Sequence, residues 1–309
     1  MHKALDLGIT LFDAADTYGN GYSEELIAKA FPKQRDQIVI ATKVGYDFYT
    51  HGEERRGQRE IPQDFSVPFI REAVEKALKR LHTDRIDVLQ LHNIRMAQVE
   101  DDALWTLMEA LVAEGKIRTY GAALGPAIGW LYEGIDCVQR RRPHLLQHIY
   151  NLLEPHPGRQ LMDDGEAGAD AQHPARTRYL IRVTHSSGML EGKYTKDTTF
   201  PPTDHRSHRP KSWLLNGLRK SRTLQFLVGP GRTLGQAALQ WLLADARVAS
   251  CLPNIYDEAQ LREFAAASDS PKLTPEELAR VAELAKDNFG VTGEVPNYKG
   301  TMTREAAAA

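Results

Sequence analysis

Short apolar runs alternate with amphipathic stretches along most of the chain, and this alternation restricts the fold more than any other feature. Residues 9–14 (ITLFDA) read as a strand, 23–31 as a short helix, and 37–42 (QIVIAT) as a β-branched, buried strand. In "DFSVPFIREAVEKALKRLH", Ser66 is placed to cap a helix with Pro68 in its first turn, and Ile70, Val74, Leu78 and Leu81 mark one face. Residues 86–91 (IDVLQL) form the next strand, and 101–114 a helix that Gly115 stops. A strand at 117–122, a helix near 127–138 and strands at 145–150 and Tyr179–Val183 follow. Then come a helix at 233–244, a strand at 247–252, a helix at 257–267, and a last helix opened by Thr274-Pro275-Glu276-Glu277 with capping-box spacing. Alternation of this kind means parallel strands joined by helical crossovers. The strands are short and almost wholly apolar, as when both faces are covered. About seven strands, each followed by a helix, predict an α/β fold of the (β/α)8 TIM-barrel type rather than one open sheet.

Composition narrows the class. The chain of 309 residues is 42% hydrophobic and 26% charged, which suits a globular protein with a real core. Its net charge of -2 argues against nucleic-acid binding by bulk electrostatics. Cys137 and Cys251 lie far apart in apolar surroundings and form neither a disulfide framework nor a metal spacing, so a reducing, cytoplasmic setting is expected. No run has membrane-spanning length, and "MHKALDLGIT" lacks a signal-peptide pattern.

In parallel barrels the chemistry sits where strands end. The polar residues just past the strand ends here are Asp13 and Tyr18, then Lys43, His92, Gln147, and His185 to Gly188. Singly, Asp13 reads as a turn cap, Tyr18 as a rim aromatic, Lys43 as a solvated lysine and His92 as a core histidine. Four such residues in order at successive strand ends point instead to one site.

The motifs that carry these residues resemble the aldo-keto reductase family. "FDAADTYGNGYSEE", "VIATKVG", "IDVLQLHN", "GKIRTYGAALG", "QHIYNLL", "SSGMLEGKY" and "CLPNIYDEAQL" are similar to that family's successive strand-end motifs, in family order, from residue 4 to about 267. The resemblance implies a barrel performing NAD(P)H-dependent carbonyl reduction, with a small-molecule carbonyl substrate and no nucleic-acid or membrane partner. It makes Asp13, Tyr18, Lys43 and His92 a catalytic tetrad. The chemistry is sensible in itself: reduction needs a hydride at carbon and a proton at oxygen. A phenol is a poor acid at neutral pH, an ammonium beside it favours the phenolate, and an aspartate keeps that ammonium charged and in place. A histidine N–H then orients the carbonyl.

The resemblance also assigns Gln147, Arg182, Ser187, Gly188, Asn254 and Gln260 to the cofactor. Several positions depart from the family pattern. Ala123 and Leu124 stand where a Ser-Asn pair would hold the nicotinamide carboxamide, Arg182 stands at an aromatic position, and Thr184 at a usual proline. A guanidinium can stack on a ring, but disfavours the oxidised, cationic form. After the last strand, "PNIYDEAQLREF" offers no clear grip for a 2'-phosphate. Asp257 would repel one, and Arg262 reads as a solvated helix residue. Weak preference for NADPH over NADH is therefore expected.

The pattern places one barrel over residues 1–289 and a flexible tail over 290–309. Only "MHKALDL" precedes the first strand of the pattern, so the family's first strand is expected to be missing. Residues 161–178 hold few large apolar residues and Pro174, and read as a loop or a helix without a buried face. Residues 194–215 read as a long strand-end loop; His205 and His208 with Asp204 have almost ligand-like spacing, but a solvated polar loop is favoured. Three function classes follow: a carbonyl reductase, a nucleotide-binding regulatory barrel with little turnover, and an inactive truncated reductase.

Overall fold

β-Branched and aliphatic runs flanked by caps and glycines do fold as the strands and helices they predict. A computed structural model describes residues 1–52, 60–167, 169 and 176–304. The chain divides into two units, Met1–His148 with Gln160–Arg178 and Tyr298–Ala309, and Ile149–Arg159 with Tyr179–Asn297.

The first unit begins with α1 (His2–Asp6) and β1 (Leu11–Asp13), then α2 (Tyr22–Ala30), β2 (Val39–Val44), α3 (Phe48–His51) and α4 (Val67–Arg80). It continues through β3 (Ile86–His92), α5 (Met96–Glu100), α6 (Asp102–Ala113), β4 (Ile117–Ala123), α7 (Leu131–Asp136) and β5 (Leu145–Ile149). β1 pairs with β2, β2 with β3, β3 with β4 and β4 with β5, all parallel. Helices α4 and α6 cover the strands with buried Ile70, Val74, Leu78, Leu104, Met108 and Leu111, the stripes that the helical periodicity marks. Ser66 caps α4 by backbone conformation only, its side chain making no cap bond, and Pro68 sits in the first turn. Gly115 takes φ +75° where α6 ends.

Register does the positioning. Side chains alternate faces along a strand, so Gln90 and His92 share the face opposite Leu89 and Leu91. The pairings Asp13↔Ala41, Lys43↔Gln90, His92↔Ala123 and Ala123↔Gln147 bring the C-terminal ends of these strands level.

Helix α8 (Gly158–Gly165) spans the division between the units. It corrects the expectation of a loop or a faceless helix over 161–178. Leu161 and Met162 are buried, and Leu161 lies where a Cβ on Gly134 would be, so two apolar residues sufficed to seat a turn. Residues 168 and 170–175 lie outside the described residues. From the polar segment 290–309, Lys299 pairs with Gly129, and Thr301 donates through both its N–H and its hydroxyl to the buried Glu133 carboxylate.

In the second unit, β6 (Arg178–Arg182) pairs with β7 (Val248–Leu252), again parallel. Helices α9 (Lys211–Thr223), α10 (Leu234–Leu243), α11 (Glu258–Ala265) and α12 (Pro275–Lys286) complete it. Its core joins Leu152, Leu190, Leu214, Leu227, Ala237 and Val281. The predicted capping box at Thr274 and Glu277 forms in both directions. The loop expected over 194–215 is shorter than read, because a 3-10 turn forms at His205–His208 and α9 starts at Lys211.

Gly121 marks a contact with no slack: a Cβ there would sit 2.0 Å from the Leu145 backbone oxygen. Gly121→Ala is expected to force β4 from β5 and cost about 1–3 kcal/mol, read by urea denaturation. An unchanged midpoint would show that the strands yield there.

Candidate active site

A buried ammonium is untenable without partners, and Lys43 is 1% exposed. Its Nζ donates to Asp13 Oδ2 at 2.5 Å and to the Ala14 carbonyl at 2.7 Å. The other Asp13 oxygen accepts from Gln90 Nε2 at 3.1 Å and from Gln147 Nε2 at 3.2 Å. Gln147 Nε2 also donates to Gln90 Oε1 at 3.0 Å. One carboxylate thus collects donors from β2, β3 and β5 at the end of β1.

Tyr18 stands above this pair. Its ring centroid is 5.2 Å from Lys43 Nζ and 5.8 Å from the His92 ring, which it meets edge-on. Tyr18 is 38% exposed, so a ligand can reach it. The loop that carries it is tied down by Asp16 N–H to the Lys43 carbonyl, Ser23 N–H to the Tyr18 carbonyl and Ser23 Oγ to the Ala15 carbonyl. Tyr46 packs edge-on against His92 at 4.9 Å, and Gln63 donates to the His92 carbonyl. Burial pushes the Tyr46 phenol upward, reinforced by its hydrogen bond to Glu60.

The structure therefore brings Asp13, Tyr18, Lys43, His92 and Gln147 together in the first unit. Gln90 joins them, and the sequence reading passed over it. Its signal was a polar residue inside a mostly apolar strand, two positions before His92 and so on the same face.

Other predicted residues lie in the second unit. Ser186, Ser187 and Gly188 take successive left-handed conformations, with φ of 48°, 56° and 94°. Tyr194 Oη donates to the Ser187 carbonyl at 2.8 Å and lies 2.4 Å from where a Gly188 Cβ would be. Arg206 donates to Tyr194 Oη and to both oxygens of Asp204, and stacks over Phe200 at 4.8 Å. That hydrogen bonding holds the Asp204 carboxyl down at about 2, so Asp204 serves Arg206. Among the described residues no group of His, Cys, Asp and Glu could hold a metal ion. Gln260 is buried in α11 and donates to Glu191 at 2.7 Å, while Asp257 caps the same helix through the Gln260 N–H. Burial raises the Glu191 carboxyl, against the pull of Lys193 and Arg206. Arg182 closes β6, half-buried, and Asn254 lies in the exposed turn after β7. Arg206 beside Gly188, and Lys193 near Glu191, are cations that sequence reasoning missed. No helix is long and apolar enough to cross a membrane, the described residues being those searched.

The Aldo/keto reductase family model matches residues 1–286. The aldo-keto reductase YhdN of Bacillus subtilis is 34% identical over 215 residues, covering 68% of this chain and 58% of the relative. Aldo-keto reductase AKR11C1 from Bacillus halodurans, in its holo form, superposes with a TM-score of 0.71 at 25% identity, covering 92% of this chain and 85% of that one. An aldo-keto reductase from Klebsiella pneumoniae in complex with NADPH superposes with a TM-score of 0.62 at 23% identity, covering 92% and 82%.

His185 has a different task. It is buried, stacks on Phe264 at 4.4 Å and bonds the Gly235 carbonyl through Nε2. Burial lowers its imidazole from 6.5 to about 4. The unfolded chain thus binds a proton that the folded one refuses, and stability falls as pH drops through that window. His185→Phe keeps the stack and is expected to remove this loss, on the order of 3 kcal/mol at the acid end. Chemical denaturation at a series of pH values checks it; parallel slopes for the two proteins would refute the assignment.

Proposed function

The chain belongs to the aldo/keto reductase family of oxidoreductases, with that family's parallel α/β barrel fold, and from this premise we propose that it reduces an aldehyde or ketone to an alcohol with NAD(P)H. One observation carries the reading: the buried Lys43–Asp13 pair lies beneath the Tyr18 ring, with His92 edge-on beside it. A barrel that only bound nucleotide would gain nothing from burying that ammonium against a phenol.

The residues fit the cofactor in part. Gln147 spends its N–H groups on Asp13 and Gln90, which turns its amide oxygen into the group to accept from a carboxamide. Arg206 puts positive charge beside the left-handed turn at Ser187–Gly188, suited to an anionic linker. Ala123 and Leu124 offer no polar side chain. When bound, the cofactor supplies a hydride to the carbonyl carbon. His92 orients the carbonyl, and Tyr18 gives its phenolic proton to the oxygen as charge develops there. Lys43, fixed by Asp13, stabilises the phenolate left behind. Gln90 keeps Asp13 aimed at Lys43.

The family resemblance also assigns Arg182, Asn254 and Gln260, all in the second unit, to the cofactor, Gln260 to its adenosine end. Arg262 is bound to Glu258 on an exposed helix face, which supports the absence of a 2'-phosphate grip. The relative from Klebsiella is seen with NADPH; here NADH is expected to serve nearly as well. A Michaelis constant about a hundredfold lower for NADPH would refute that.

Tyr18→Phe removes the proton donor and little else. Turnover of aldehydes is expected to fall by about 10²- to 10⁴-fold, while NAD(P)H still quenches tryptophan fluorescence. Binding without turnover in the unsubstituted chain would favour the regulatory barrel instead.

A further inference from the structure

Behind the tetrad lies a carboxyl that the mechanism does not use. Asp16 sits between Asp13 and Tyr18 on the β1–α2 loop and is fully buried. No side chain donates a hydrogen bond to its oxygens; the Thr17 backbone N–H faces them and favours the ionised form, against the larger effect of burial. The cations nearby are committed. Arg80 Nε binds Glu24 Oε2 at 2.7 Å, the other Glu24 oxygen takes the Thr42 hydroxyl at 2.5 Å, and Glu24 is itself fully buried. Lys43 is held by Asp13. Tyr49, which also faces Asp16, is a neutral phenol that burial pushes up to about 12. Asp13 balances Lys43 and Glu24 balances Arg80, so Asp16 is the odd carboxyl. An ionised carboxylate here would be buried, unpaired and beside a second one.

We propose that Asp16 is a positioning residue working as an un-ionised carboxylic acid: it lets the β1–α2 loop pack onto the Glu24–Arg80 pair and so holds Tyr18 near Lys43 and His92, and ionising it loosens that loop. Burial, with Glu24 adding to it and Arg80 and Lys43 opposing it, raises this carboxyl well above the ordinary range. The folded chain therefore keeps a proton that the unfolded one sheds, and stability falls as pH rises from the ordinary carboxylate range through the raised value. The kinetic consequence rests on Tyr18 as proton donor; the protonation state does not.

The test is infrared spectroscopy of the full chain carrying ¹³C-aspartate, at neutral pH. A shifted C=O band of a protonated carboxyl is expected, and it should vanish in Asp16→Asn. Its absence from the unsubstituted protein overturns the proposal, whether or not the variant folds or the chain turns over carbonyls. Asp16→Asn, the shape-matched neutral mimic, should support reduction at neutral pH and displace the alkaline fall of kcat/KM to higher pH. Identical alkaline limbs would leave Asp16 a structural residue only. A loss of more than about tenfold in a folded variant would mean that the charged form is needed. Either result rejects the proposal.

Discussion

The buried Lys43 ammonium is the constraint on which the first unit is organised. Taking an ammonium and a carboxylate out of water costs several kcal/mol per ion, and their attraction repays it only if the remaining donors and acceptors are satisfied. Here they are. Lys43 has the Ala14 carbonyl as well as Asp13, and Asp13 has two glutamine amides as well as Lys43. Those groups come from four strands. The polar cluster can close only if β1, β2, β3 and β5 are in their observed register. A slip of one residue in β2 would turn Lys43 to the opposite face and leave Asp13 with amides alone. The charge pair therefore specifies the alignment of the strands that deliver it.

Above the pair the problem is mechanical. Tyr18 has to be exposed enough to meet a ligand and fixed enough to stay over Lys43. The β1–α2 loop does this with backbone bonds and one serine, and Asp16 on the loop and Glu24 in α2 are both fully buried. His92 is set differently, by a wedge. Tyr46 lies against its ring, and Asn93 and Glu60 hold the Tyr46 hydroxyl. The two groups that meet the carbonyl oxygen in the proposed reaction are thus fixed by separate devices, and a fault in one need not displace the other.

Much of this was legible in the sequence, for a physical reason. Strands covered on both faces must be apolar, so a lysine ending "VIATK" or a histidine ending "VLQLH" stands out against its surroundings. Gln90 stood out equally and was missed, because the reading looked past strand ends rather than one alternation before them. The buried face of helix α8 was missed because Leu161 and Met162 are too few to show a period. Asp16 was visible in "FDAADTYG" but not its state. A carboxyl without a partner is defined by what is absent around it, and a sequence lists only what is present. Arg206 was hidden for the opposite reason: its role depends on Asp204, Tyr194 and Gly188, which no sequence spacing brings together.

Buried and partly exposed charge pairs respond differently to the protein's surroundings. In the first unit the Lys43–Asp13 and Arg80–Glu24 pairs are buried, so salt has little access to them. In the second, Arg206 is partly exposed, but its Asp204 partner stays ionised across any working pH, so that pair acts as a fixed dipole. Glu191 in the same unit is pulled both ways. Burial raises it, while Lys193, Arg206 and the Gln260 amide favour the carboxylate. An anion brought beside Ser187–Gly188 would draw on Arg206 and weaken its hold on Glu191.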